Sequence, residues 1–178
     1  MKILDVGCGS DPKGDVNVDL FVDPIQRWGQ RIDPKKIKNF VFADAHYLPF
    51  RDESFQIVYS SHLLEHCLHP LKVLEEFHRV SKAIVYLEVP YGDRYPDDCP
   101  SHLYSWTMKS FQHLLSKIFP YVEIHNVARI AHTLRSGRCG LSLIGDLLLI
   151  VFRKIRHTIL WRKQLAAICY KYPVKTTD

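Results

Sequence analysis

Ile3-Leu4-Asp5-Val6-Gly7-Cys8-Gly9 opens the chain with a short apolar run that ends in two closely spaced glycines. Ile3, Leu4 and Val6 suit a strand buried on both faces of a parallel sheet. Gly7 and Gly9 then allow a tight turn and a close approach of backbone to a ligand, since neither carries a Cβ. Asp5, inside the motif, suits a ligand bearing a positive group and hydroxyls better than one bearing phosphates. A dinucleotide fingerprint would need a third glycine where Pro12 stands, and a helix directly after the loop. A phosphate-cradling loop would end in Gly-Lys-Ser/Thr, which occurs nowhere in the chain. Ser10 to Asp15 reads instead as a turn cluster. Taken alone, Asp-x-Gly-x-Gly also fits an ordinary strand-to-turn junction, so the rest of the chain decides.

Working outward, Val16 to Phe21 reads as a second strand and Phe40 to Ala43 as a third, ending at Asp44. Pro24 to Asn39 between them has room for a short helix broken near Asp33-Pro34. Phe55 to Tyr59 is a fourth strand, followed by Ser60-Ser61-His62. From Pro70 to about Lys82, Leu71, Leu74, Phe77 and Val80 recur at three-residue steps, and proline suits a helix start. Ala83 to Val89 is a fifth strand, stopping at Pro90, and a loop runs on to Ser101. Thr107 suits a helix N-cap, with Phe111, Leu114, Leu115 and Ile118 on one face. Tyr121 to Val127 is a sixth strand. Strands alternating with helices imply an α/β layered fold around a parallel sheet. Ligands of such sheets bind beyond the carboxyl ends of the strands, where strand order reverses. Asp19, Asp44 and Ser60-Ser61-His62 all fall at such ends.

Of the 178 residues, 47% are hydrophobic and 24% charged, as in a soluble globular domain. Five scattered cysteines without a C-x-x-C pair read as reduced thiols, and the opening strand pattern is not a signal peptide, so a cytoplasmic protein is expected. No ligand cluster for a metal such as zinc is visible. Residues 129–178 carry ten Lys or Arg against Asp146 and Asp178, a net +8, whereas residues 1–128 carry −3. Such a basic third favours a nucleic acid or a membrane surface, and equally fits a solvated face. Gly145 to Arg153 reads as a last strand. Lys154 to Tyr172 mixes basic and apolar residues as an amphipathic helix does, and could dock on the sheet, join two copies as a homodimer, or lie on a membrane. Docking demands least. The expected organisation is thus a domain over 1–153 with a basic extension, 154–178, packed on it.

In this order and spacing the pieces resemble the class I S-adenosylmethionine-dependent methyltransferases, in particular the small type 11 family. The matching stretches are the glycine loop, Val16-Asn17-Val18-Asp19, Ala43-Asp44-Ala45 with Leu48-Pro49-Phe50, Ser54 to Val58, His62-Leu63-Leu64-Glu65-His66, and His102 to Thr107. The resemblance implies a Rossmann-like, mostly parallel sheet whose last strand, placed at Gly145 to Arg153, is antiparallel and lies beside the fifth. S-adenosylmethionine is then the implied cofactor. Asp5 and the backbone of Gly7, Cys8 and Gly9 would hold its methionine end. Asp19 would accept from both ribose hydroxyls, Asp44 from the adenine amino group with Ala45 nearby, and Ser60, Ser61 and His62 would line the sulfonium side. Plainer readings stay open: Asp19 as a turn residue and Asp44 as a helix cap. His62 and His102 are the candidate catalytic bases; pocket or packing roles fit them equally. Glu65 and His66 read as residues that hold the loop after the fourth strand.

One departure stands out. Only about six residues separate Gly9 from Val16, below the dozen or so a parallel crossover needs, so a loop replaces the first crossover helix. The region of Tyr91, Asp93, Arg94, Tyr95 and His102 suits one wall of an acceptor pocket. A small-molecule acceptor is expected. An RNA or lipid-like acceptor, or a non-catalytic module with an eroded site, are the alternatives.

Overall fold

In the computed structural model, which describes residues 2–21, 32–92, 99, 101–126 and 164–173, the opening apolar run forms β1 (Ile3–Val6), all four residues buried. β2 (Val16–Asp19), β3 (Phe40–Phe42), β4 (Phe55–Ser61), β5 (Ser81–Pro90), β6 (Tyr121–Asn126) and β7 (Gln164–Tyr170) complete a sheet of order β3-β2-β1-β4-β5-β7-β6. β1 pairs in parallel with β2 on one side and β4 on the other, so strand order reverses between β1 and β4. β2–β3 and β4–β5 are parallel, whereas β7 is antiparallel to both β5 and β6. The sheet is therefore Rossmann-like and mostly parallel with an antiparallel last strand, as expected, but the antiparallel strand beside β5 is residues 164–170 rather than the expected 145–153.

No helix joins β1 to β2. Residues 7–15 make the return by running back along β1: Lys13 N donates to Asp5 Oδ2 at 2.7 Å, and Asp15 N to Ile3 O at 2.9 Å. Asp15 Oδ2 in turn accepts from Ile3 N at 2.9 Å. The loop thus satisfies backbone groups that a helix would satisfy within itself. Gly14 permits the close pass, because a Cβ there would lie 2.8 Å from Asp5 N and 2.4 Å from Val16 O.

One face of the sheet is covered by α1 (Pro70–Val80) and α2 (Met108–Leu115). The buried stripe of α1 is Pro70, Val73, Leu74, Phe77 and Val80, the 3-4 spacing of a single helix face. Leu71, assigned to that face by the three-residue steps, is 43% exposed, and Val73 takes its place. Three-residue steps drift around a helix of 3.6 residues per turn, which is why one of the four, Leu71, falls off the buried face. Thr107 caps α2 as expected, its side chain accepting from Ser110 N at 3.1 Å while Ser110 Oγ accepts from Thr107 N at 2.9 Å.

The C-terminal assignment needs correcting. Residues 164–170, placed within an amphipathic helix, are β7, the fully buried strand between β5 and β6. The amphipathic pattern arose from the basic residues around it. Leu165 to Tyr170 is itself an apolar run too short for periodicity to separate strand from helix. The strand expected at 145–153, residues 154–163 of the expected helix, and Asp93, Arg94 and Tyr95 of the expected acceptor wall lie outside the described residues. Among the described residues, no helix is long and apolar enough to cross a membrane.

Candidate active site

Asp5, Asp19 and Asp44 come to the carboxyl ends of three neighbouring strands. Asp5 lies on β1 beside Asn17 of β2, Asp19 ends β2 opposite Phe42, and Asp44 follows two residues after Phe42. Between them runs the glycine loop. Gly7 and Gly9 have φ of +75° and +59°, a region that L side chains rarely adopt. A Cβ on Gly7 would meet Leu63 at 3.1 Å. Gly7 N and Cys8 N both donate to Val18 O, at 2.9 and 3.0 Å, and Gly9 N donates to Asp19 Oδ2 at 2.9 Å.

The three carboxylates differ in state. Asp5 is 2% exposed, and burial pushes its carboxyl from 3.8 up to about 7, although the Lys13 amide and charge pull the other way. The negative charges of Asp19 and Asp11 add to the rise. Asp19 is buried, its Oδ1 accepting from Phe21 N at 2.9 Å. Asp44 is partly exposed; its Oδ1 accepts from His46 N at 2.9 Å and meets His46 Nδ1 at 2.6 Å. Burial would raise the Asp44 carboxyl, but the bonds and charge from His46 hold it below its ordinary value. The bond to Phe21 makes Asp19 a turn residue, whereas Asp44 caps no helix and instead holds the turn at Ala45-His46. A carboxylate offers about four acceptor positions, so the roles are compatible. Ala45 is buried beside Asp44.

Across the switch point, Ser60 Oγ donates to Val6 O at 2.8 Å and Ser61 Oγ to Glu88 Oε2 at 2.8 Å. Both hydroxyls are therefore turned to protein partners that tie β4 to β1 and β5. His62 has φ +53°, strained for a residue with a side chain. Its Nδ1 lies 3.2 Å from Glu65 Oε1 and its Nε2 2.8 Å from Gln164 Nε2. Burial would lower its basicity, but the bond to Glu65 and the charges of Glu65 and Glu88 leave the imidazole pKa raised above 6.5. Sequence reasoning did not single out Glu88 or Gln164. A charge inside the apolar run Ile84 to Val89 was the available signal for Glu88; none existed for Gln164, which β7 brings in. Glu65 does hold the loop after β4, as expected, through His62 and by accepting from Leu103 N at 2.8 Å.

His102, the second candidate base, packs its ring edge-on against His66 with centroids 4.8 Å apart. A carboxylate oxygen of Glu65 and one ring nitrogen each of His66 and His102 lie within 4.8 Å of one another. The sequence showed no such cluster, because His102 is distant along the chain and only the fold carries it to Glu65-His66.

Residues 4–87 match the methyltransferase-domain family. Over 91 residues the chain is 31% identical to the malonyl-[acyl-carrier protein] O-methyltransferase of Marinomonas sp. (strain MWYL1), covering 45% of this chain. The chain spans about a third (34%) of the length of that curated relative. Among solved structures, an S-adenosylmethionine-dependent methyltransferase of Thermotoga maritima superposes with a TM-score of 0.60 at 12% identity, over 96% of this chain and 82% of that one. The Haemonchus contortus phosphoethanolamine N-methyltransferase 2, in complex with S-adenosyl-L-methionine, does so with a TM-score of 0.56 at 17% identity, over 97% and 50%. At such identities the structural likeness speaks for the fold.

Proposed function

Since the chain belongs, through residues 4–87, to the class I S-adenosylmethionine-dependent methyltransferases, we propose that it transfers a methyl group from S-adenosylmethionine to an oxygen of a small-molecule acceptor. The observation that carries this reading is the set of Asp5, Asp19 and Asp44 at the ends of β1, β2 and β3, with the glycine loop between them. S-adenosylmethionine is the cofactor of the family, and the donor set fits it. Three carboxylates and the Gly7–Gly9 loop suit an ammonium and a ribose diol, and would repel phosphates.

Asp5, with the backbone of Gly7, Cys8 and Gly9, would hold the methionine end, Asp19 the ribose hydroxyls, and Asp44 with Ala45 the adenine edge. Ser60 and Ser61 support the site from behind by fixing β4 against β1 and β5. When bound, the cofactor supplies an electrophilic methyl on its sulfonium. His62 would take the acceptor's proton, a reading supported by Glu65, which meets its Nδ1, and by the Gln164 amide on its Nε2, which an acceptor would replace. An oxygen acceptor is favoured by the matched curated relative, which is an O-methyltransferase.

Calorimetry with S-adenosylhomocysteine, followed by methyl-release assays on hydroxy and carboxylic acids, tests the reading. Binding with turnover supports it. Binding without turnover points to a non-catalytic module, and no binding overturns it. Asp19→Ala should weaken S-adenosylhomocysteine binding by about 1–3 kcal/mol. The parent should also discriminate against the 2′-deoxy analogue, and Asp19→Ala should not. If the variant keeps that discrimination, Asp19 serves only the glycine loop. His62→Gln should slow transfer by about 10²–10⁴-fold with cofactor affinity kept. Equal rates in parent and variant would remove the base assignment.

A further inference from the structure

We propose that Glu65, His66 and His102 form a binding site for one divalent transition-metal ion, with Zn²⁺ the best fit. Ligand atoms from the three residues already lie within 4.8 Å of one another. With bonds of about 2.0–2.2 Å to a central tetrahedral ion, ligand atoms stand roughly 3.3–3.6 Å apart, so a movement of up to about 1 Å by each side chain completes the site. Two further observations, independent of that proximity, point to a cation.

The first is Glu65. Its side chain is fully buried, and Oε2 has no hydrogen-bond partner among the described residues. Oε1 is engaged by His62, so the unpartnered atom is the one left to face a ligand. A buried carboxylate oxygen without a partner is costly, and a bound cation is among the few groups that offset that cost. The second is His66, whose Nδ1 lies 3.0 Å from the carbonyl oxygen of Ser101. A carbonyl only accepts, so the ring proton sits on Nδ1 and the lone pair on Nε2. Metal-binding histidines are oriented in the same way, with the second ring nitrogen donating to a backbone carbonyl.

Two imidazoles and one carboxylate select zinc-like ions over Mg²⁺ or Ca²⁺, which prefer all-oxygen shells. Three protein ligands leave a coordination position open. Leu63, two residues before Glu65, packs on Gly7, so the site lies beside the glycine loop. If the methyl-transfer reading holds, the open position is where an acceptor oxygen would be held.

The test uses the full chain, stripped with a chelator and titrated with Co²⁺ and then Zn²⁺, with visible absorption and calorimetry as readouts. The expected result is one site per chain. Its affinity should fall by about 100-fold or more in His66→Ala and in His102→Ala, beyond the range for loss of an outer partner, with thermal unfolding unchanged. His66 is exposed and His102 lies in a loop, so neither change removes core packing. No uptake by the parent chain overturns the proposal. So does undiminished binding in either variant, or a thiolate charge-transfer band showing that cysteine is the ligand. Neither cofactor nor acceptor enters these readouts, so failure here and failure of the methyl-transfer reading are separately visible.

Discussion

Replacing Asp5 by Asn should remove a large part of the acid-to-neutral loss of stability in the cofactor-free chain. Burial lifts the Asp5 carboxyl from 3.8 to about 7 in the folded chain. The folded state therefore binds its proton more tightly than the unfolded state does. Stability from Asp5 is fully present below about pH 4 and is lost as pH climbs through about 7. That interval corresponds to roughly 4 kcal/mol. Asn keeps an oxygen for the Lys13 amide but has no charge to bury. Urea unfolding of parent and Asp5→Asn between about pH 4 and pH 8 should thus show their difference moving in favour of the variant by up to about 4 kcal/mol. A constant difference across that range would mean that Asp5 is not the buried acid described.

The same carboxylate ties stability to the proposed cofactor. A bound ammonium would compensate the Asp5 charge, so cofactor affinity in the parent should rise with pH up to about 7, with proton release on binding. Asp5→Asn should bind more weakly and without that pH dependence. Calorimetry in two buffers of different ionisation enthalpy reads the released proton directly. Strain of this kind, with a charge held in a poor environment until its partner arrives, is expected where a site is kept ready.

Arg79→Met should cost about 1.5–3 kcal/mol of stability, the range for losing hydrogen bonds to charged groups at a partly buried ion pair. Arg79 Nη1 donates to Phe50 O at 2.7 Å and Asp52 Oδ1 at 2.8 Å. Its Nη2 donates to Leu48 O at 3.0 Å and Glu76 Oε2 at 2.7 Å. Glu76, on the buried side of α1, also accepts from Leu48 N at 2.8 Å. One guanidinium thus clamps residues 48–52, the segment just after Asp44 and Ala45, to α1. Without it, Glu76 keeps only the Lys72 ammonium, 4.0 Å from its Oε1, against its charge, and two carbonyls lose their donor. Glu76→Gln combined with Arg79→Met should lose less than Arg79→Met alone, since no orphan charge remains. Urea midpoints decide this, and a double variant as unstable as the sum of the singles would refute the clamp.

Much of the fold was legible because its signals are local. An apolar run followed by glycine, or by an aspartate, marks a strand end whatever the rest of the chain does. Thus β1 to β5, the cap of α2 and the three aspartates could all be placed from neighbouring residues. What failed had non-local causes. β7 is a strand because it fills the gap between β5 and β6, and its two alanines carry little strand preference of their own. Ser60 and Ser61 sit at the expected strand end, yet their hydroxyls turn to Val6 and Glu88, partners that only sheet pairing supplies.

By itself the sequence determined that this is a mostly parallel α/β protein with aspartates and a glycine turn at its strand ends and no first crossover helix, since spacing along the chain sets each of those features. Only the tertiary structure decided the protonation of Asp5, the hold of Gln164 on His62, and the meeting of Glu65 and His66 with His102. Those properties depend on burial and on contacts between residues far apart in sequence, which no local pattern encodes.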